Sequence, residues 1–236
     1  MYAIQRGLAL ESSMLKRIGL LAGTILAAFA LIGAMASPAA AQEQVGVFLA
    51  GEESEEAEAQ PRVEAESYPL ELVGKSTTAH VFGFGEIASY NCPSAEFLGD
   101  LSGATSELDL APVYPFFSCK LSTGGATTIS SNGCEYAVTV DNAGPPYVGE
   151  FGLDCPEGFS YELHNQTGCS IVIPEQAGLD AIDYKNVGAG SERAVQVEFD
   201  VSGMTYSIVG PFFCPKGKYE DGTYTGTMTL RGYSVE

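Results

Sequence analysis

From residue 68 to the C-terminus, apolar and polar side chains alternate in short runs broken by Gly, Pro, Asn and Ser clusters. Successive side chains of a strand point to opposite faces, so this period of two predicts antiparallel strands with one dry and one wet face. No amphipathic helical pattern of ten residues follows the apolar N-terminal segment. The predicted fold is all-β: an antiparallel β-sandwich built of hairpins and stapled by three disulfides.

Register can be tested by arithmetic, because a slip of one residue moves every apolar side chain to the wrong face. Folding residues 134–140 against 147–155 about Gly144-Pro145 sets Cys134 opposite Cys155, Tyr136 opposite Leu153 and Val138 opposite Phe151. The same test pairs Phe159, Tyr161 and Leu163 with Ile173, Ile171 and Cys169 across a turn at 165–168. It pairs Val197, Phe199 and Val201 with Ile208, Tyr206 and Met204 across a Ser202-Gly203 turn. Tyr224, Gly226, Met228 and Leu230 alternate with four threonines. Residues 78–84 and 107–114 also read as strands, the latter at an edge or strand end because Pro112 donates no ladder hydrogen bond. Pro-Phe-Phe occurs twice just before a cysteine, at 115–117 and 211–213, a weak sign of duplication.

The chain has six cysteines and no Cys-x-x-Cys, so zinc and redox motifs are disfavoured. Strand register singles out Cys134–Cys155, and the same midpoint logic gives Cys92–Cys119, which leaves Cys169–Cys214. Disulfides need an oxidising compartment, and the N-terminus supplies a route. Lys16 and Arg17 precede an apolar run over 18–35, and Ala39-Ala40-Ala41 offers a cleavage site, so residues 1–41 are expected to be a signal peptide starting at Met14. An uncleaved anchor is the alternative. Residues 42–67, rich in glutamate, are expected to be a disordered acidic spacer, with 45–49 a remnant without a role. Residues 68–236 form the β domain, the alternative being two subdomains, 68–125 and 126–236.

Without residues 1–41 the chain keeps 8 Lys and Arg against 29 Asp and Glu, a net charge of −21. Such acidity disfavours nucleic acid and anionic membrane surfaces as partners, and no membrane insertion is expected after cleavage. Glu135 and Asp154 fall opposite each other on the outward face of the first hairpin, where two carboxylates repel unless a cation such as calcium bridges them. Other acidic residues, at 180–183 and 220–221, read as turns and match no EF-hand loop. His80 lies in a strand, His164 ends one, and no Gly-x-Ser-x-Gly elbow is present. Twelve Tyr and twelve Phe fall largely on the apolar strand faces, and the absence of Trp weighs against a sugar platform. Asn165-Gln166-Thr167 is a sequon on a turn, although the leader is bacterial in style.

Thr77-Thr78-Ala79-His80-Val81-Phe82, Asn132-Gly133-Cys134-Glu135-Tyr136, Cys155-Pro156-Glu157-Gly158, the run at 169–176 and the Thr-rich run at 221–227 occur in that order. In this order and cysteine placement the chain resembles a group of uncharacterised secreted, disulfide-containing, β-rich proteins of high-GC Gram-positive bacteria of the Thermoleophilia type. The resemblance spans about residues 76–232 and implies no activity or site residues. The expected role is a non-catalytic extracellular or envelope-associated binding or structural module of unspecified ligand, exposing turns at 142–146 and 186–191. The alternative is a secreted hydrolase using carboxylates or His164.

Overall fold

The computed structural model describes residues 46–50, 62–63, 68–114, 119–122, 124–189 and 193–235. The signal segment, most of the acidic spacer, the Pro-Phe-Phe at 115–117 and residues 190–192 lie outside the described residues. Sixteen strands are present among them. They are β1 (Leu49–Ala50), β2 (Arg62–Val63), β3 (Leu70–Ser76), β4 (His80–Phe84), β5 (Ala88–Cys92), β6 (Glu96–Leu101), β7 (Glu107–Val113) and β8 (Lys120–Leu121). They continue with β9 (Thr127–Ser130), β10 (Glu135–Thr139), β11 (Tyr147–Asp154), β12 (Tyr161–Asn165), β13 (Ser170–Ile173), β14 (Gln176–Val187), β15 (Ala194–Val209) and β16 (Gly217–Ser234).

The class is all-β, but the sheet closes instead of stacking as a sandwich. β16 pairs with β3 on one side and β15 on the other, and the order β16-β3-β6-β7-β10-β11-β14-β15 returns to β16. Eight antiparallel strands therefore form a barrel, and within that ring each strand is paired on both sides. Closure rests on β15 and β16, which pair from Val195–Leu230 to Ile208–Gly217. Their inner halves belong to the barrel. The outer half of β16 pairs with β4, followed by β5 and β8, and the outer end of β15 pairs with β13, followed by β12 and β9. A bridge between Lys120 and Ala126 joins these two flaps where β8 turns into β9. Strands from 68–125 and 126–236 interleave in this sheet and share one buried core.

The first hairpin has the expected register, with Glu135 opposite Asp154, Tyr136 opposite Leu153 and Val138 opposite Phe151. In the second, Tyr161 faces Ile173 and Leu163 faces Ile171, two residues from the expected pairing, and Phe159 is left exposed. A two-residue shift preserves the faces. The turn sets it: Asn165 Oδ1 accepts from the Thr167 and Cys169 amides, and the Asn165 amide donates to the Cys169 carbonyl. The Ser202-Gly203 hairpin does not form. Gly203, at φ 77°, makes a bulge in the continuous β15, because pairing along β16 outweighs a local turn. The acidic stretches expected as turns at 180–183 and 220–221 likewise lie within β14 and β16. β7 is not an edge strand: residues 107–110 pair with β10, whereas Pro112 faces Phe97 of β6 beyond the end of that ladder.

Residues 46–49 have a structural role, contrary to expectation. Phe48 exchanges backbone hydrogen bonds with Thr105 and packs edge-on against Tyr184, fully buried beside the β6–β7 loop. A Cβ on Gly46 would collide with Val140 and Asn142, so this segment fits closely at one end of the barrel.

Candidate functional site

The barrel interior is filled rather than hollow. Phe82, Phe97, Tyr136, Phe151, Tyr161, Phe199 and Tyr224 interlock with ring centroids mostly 4.7–6.3 Å apart. The void between Phe82, Tyr136, Phe151, Tyr161 and Met204 holds only about 10 Å³. Edge-to-face and tilted contacts of this kind add to the burial of large rings.

Within the core lies a polar chain that sequence reading missed. His80 is fully buried, and its Nδ1 lies 2.6 Å from the Tyr224 hydroxyl. The Tyr114 hydroxyl is 2.7 Å from that of Tyr136 and 3.5 Å from that of Tyr224. His80 Nε2 and the Tyr161 hydroxyl have no well-formed hydrogen bond. Burial pushes His80 down to about 4, partly opposed by the Thr227 backbone, and raises Tyr136, Tyr161 and Tyr224 well above the ordinary tyrosine range. The ring occupies the space left by Gly226, whose Cβ would fall 2.6 Å from His80 Nδ1. A glycine opposite an inward-facing histidine was the one available signal. His80, Tyr136 and Tyr224 are buried and Tyr114 is partly buried, so the chain contributes mainly to packing.

Among the described residues, two concavities of ligand size lie on the outside. One, of about 540 Å³, runs over β3, β6, β7 and β10 and is lined by Glu71, Asp100, Glu107, Asp109 and Glu135. Partial burial, then Asp109, Asp154 and Asp100, hold the Glu135 carboxyl above its usual range. The Glu135–Asp154 pair is thus in the expected place. No three His, Cys, Asp or Glu side chains gather as a metal site among the described residues. The second groove, about 490 Å³, runs from the first of the turns expected to be exposed to the neighbouring strands: Pro145, Pro146 and Tyr147 form one wall, and Tyr184, Lys185 and Asn186 of β14 with Glu198 of β15 the other. Asn142 fixes the first turn through the Gly144 and Pro146 carbonyls and the Val148 amide.

His164 has a neighbourhood that the sequence did not reveal. Cross-strand pairing puts it opposite Ser170, with Nδ1 2.7 Å from Ser170 Oγ, while Nε2 lies 3.0 Å from Glu162 Oε2. Nucleophile, base and orienting carboxylate are therefore in line, which is the pattern of an activated serine. Neither groove includes these residues. β12 and β13 are paired on both sides, so their backbone N–H groups are committed to ladders and do not converge as an oxyanion hole.

All three expected disulfides are present: Cys92–Cys119, Cys134–Cys155 and Cys169–Cys214. They suggest an oxidising environment. Comparison with protein families, curated proteins and solved structures finds no match to this chain.

Proposed function

We propose that the protein is a secreted, non-catalytic extracellular or envelope-associated module that binds through its outer surface. The observation that carries this reading is the filled barrel: rings occupy the interior, and ligand-sized space occurs in the two external grooves. A rigid closed sheet with three disulfides suits a scaffold that presents fixed turns outside the cell. The test is binding of the disulfide-intact protein to washed cell-envelope fractions, with a parallel screen against ester, peptide and polysaccharide substrates. Saturable envelope binding without turnover is expected.

A second reading, a secreted hydrolase, is favoured by the Ser170–His164–Glu162 line. In it Ser170 is the nucleophile, His164 the base and Glu162 the orienting acid. Among the described residues no cleft encloses this line and the neighbouring backbone donors are committed to ladders, which places the reading second. Labelling of Ser170 by a fluorophosphonate probe, together with turnover abolished in Ser170→Ala and His164→Ala, would reverse the order.

A further inference from the structure

The far end of the β15–β16 hairpin differs from the rest of the surface. Its loop, residues 210–216, carries Phe212 at 94% exposure and Phe213 at 57%, with the two rings 5.5 Å apart. Large apolar side chains this exposed usually imply a partner when they are held in place. These are held. Cys214 is bonded to Cys169 of the neighbouring β12–β13 turn, its amide donates to the Pro211 carbonyl, and the Tyr219 hydroxyl donates to the Pro215 carbonyl. Gly210, at φ 142°, lies so close to the Gly168 carbonyl and Cys214 Sγ that a Cβ would fall 2.7 Å from each. The loop is therefore pinned with its two rings pointing away from the core.

Charge is segregated in the same sense. Residues 111–134, 163–174 and 201–219 contain no Asp or Glu in a chain with 30, and they include Lys120, Lys216 and Lys218. The loop and the turn bonded to it both belong to these runs, and Lys216 and Lys218 directly follow the phenylalanines. Of the carboxylates closest to this end in the strands, Glu162 is engaged by His164 and Asp221 by the Tyr206 hydroxyl, and Glu220 is the exposed one that follows the lysines. The acidic groove lies on the barrel strands, and the Debye length at physiological salt is only about 8 Å.

We propose that this tip docks the protein peripherally onto a bilayer bearing anionic headgroups, with Phe212 and Phe213 entering the interfacial layer and Lys216 and Lys218 meeting the headgroups. Aromatic rings favour that layer, and each nearby lysine adds attraction to an anionic leaflet. Two rings held 94% and 57% exposed on a loop suit a deformable lipid surface, whereas a protein partner would need a matching pocket. The acidic body then orients the molecule tip-first. The proposal rests on the module reading only in that the protein meets the membrane from outside the cytoplasm.

The test is flotation of the disulfide-intact protein with phosphatidylcholine vesicles, with and without phosphatidylglycerol. Binding to the phosphatidylglycerol vesicles is expected, weakening with salt. It should fall about tenfold or more in Phe212→Ser/Phe213→Ser and by a similar factor in Lys216→Glu/Lys218→Glu. All four residues are on the surface, so unchanged thermal melting should accompany the loss. No flotation of the wild type, or equal flotation of the phenylalanine variant, overturns the proposal. Phe212-dependent capture by delipidated envelope protein without vesicle binding would also overturn it, yet leave the module reading standing. Loss of all envelope binding would remove both.

Discussion

The inner and outer halves of the β15–β16 hairpin are the same two strands in two different settings. In the inner half, Val195, Val197, Phe199, Met228 and Leu230 are fully buried, and β14 and β3 flank them with long ladders. In the outer half, β13 contributes three paired residues and β4 four, and the hairpin ends in exposed aromatic rings. Two of the three disulfides fall where ladders are short: Cys92–Cys119 secures the two-residue β8, and Cys169–Cys214 secures the tip beside β13, whereas Cys134–Cys155 closes the β10–β11 hairpin of the barrel. Both halves are buried, the outer one through Val201, Met204, Tyr206, Ile208 and Tyr224; the outer half differs in having short flanking ladders and a disulfide at its tip.

The largest contrast should appear in paired aromatic truncations. Phe199→Ala removes a fully buried ring that touches His80, Tyr136, Phe151 and Tyr224, and is expected to cost about 3–5 kcal/mol in denaturant unfolding. Phe212→Ala should change stability by less than about 0.5 kcal/mol. A large loss from Phe212→Ala would mean that the tip packs as core, and the comparison would fail.

Removing the outer staple sharpens it. Cys169→Ser/Cys214→Ser opens a bond spanning 45 residues and should cost about 2–4 kcal/mol. Amide exchange should accelerate in β12, β13 and outer β15, while β3 and β6 keep their protection. Uniform acceleration would show that the two halves open as one unit.

His80 supplies a pH test of the core shared by the two halves, because it sits on β4 and packs on Phe97 and Phe199 of the barrel. Its pKa in the folded protein is held down at about 4, against an ordinary 6.5. The unfolded chain therefore binds its proton first, and stability from this group falls as pH drops from about 6.5 to 4, by about 3 kcal/mol in all. Below pH 4 the loss stops growing. Midpoints of urea unfolding measured between pH 7 and 4 should follow this slope, and His80→Gln should flatten it. An unchanged slope in His80→Gln would assign the acid sensitivity elsewhere.

What could be read from the sequence was what is local. Cys134 and Cys155 flank one hairpin, so alternation and spacing alone set their register. Ser202-Gly203 was misread because a glycine with positive φ serves a tight turn and a bulge equally well, and only the distant β16 decides between them. Barrel closure joins Met228 to Ser76, and Phe48 pairs with Thr105 across the acidic spacer, so neither leaves a local trace. The candidate sites divide the same way. Glu135 and Asp154 were found through hairpin register, whereas the second groove joins the first expected turn to strand residues of β14 and β15. The His80–Tyr224 contact and the His164–Ser170 contact depend on side chains meeting across strands whose pairing was missed or shifted.

The smallest expected effect tests what the acidic face of the barrel is for. Glu135 is raised first by partial burial and then by Asp109, Asp154 and Asp100, so neutralisation of a neighbour relieves repulsion. If the face is simply solvated acid, Asp154→Asn should stabilise the fold by a few tenths of a kcal/mol, roughly the size of a cross-strand like-charge penalty. The gain should shrink with salt, and calcium should leave the wild-type melting temperature where it is. A bridging calcium ion reverses both signs: it would raise the wild-type melting temperature, and Asp154→Asn would abolish the rise. The two outcomes differ in direction, so thermal melts of wild type and Asp154→Asn with calcium or EDTA decide whether this charge repels or binds.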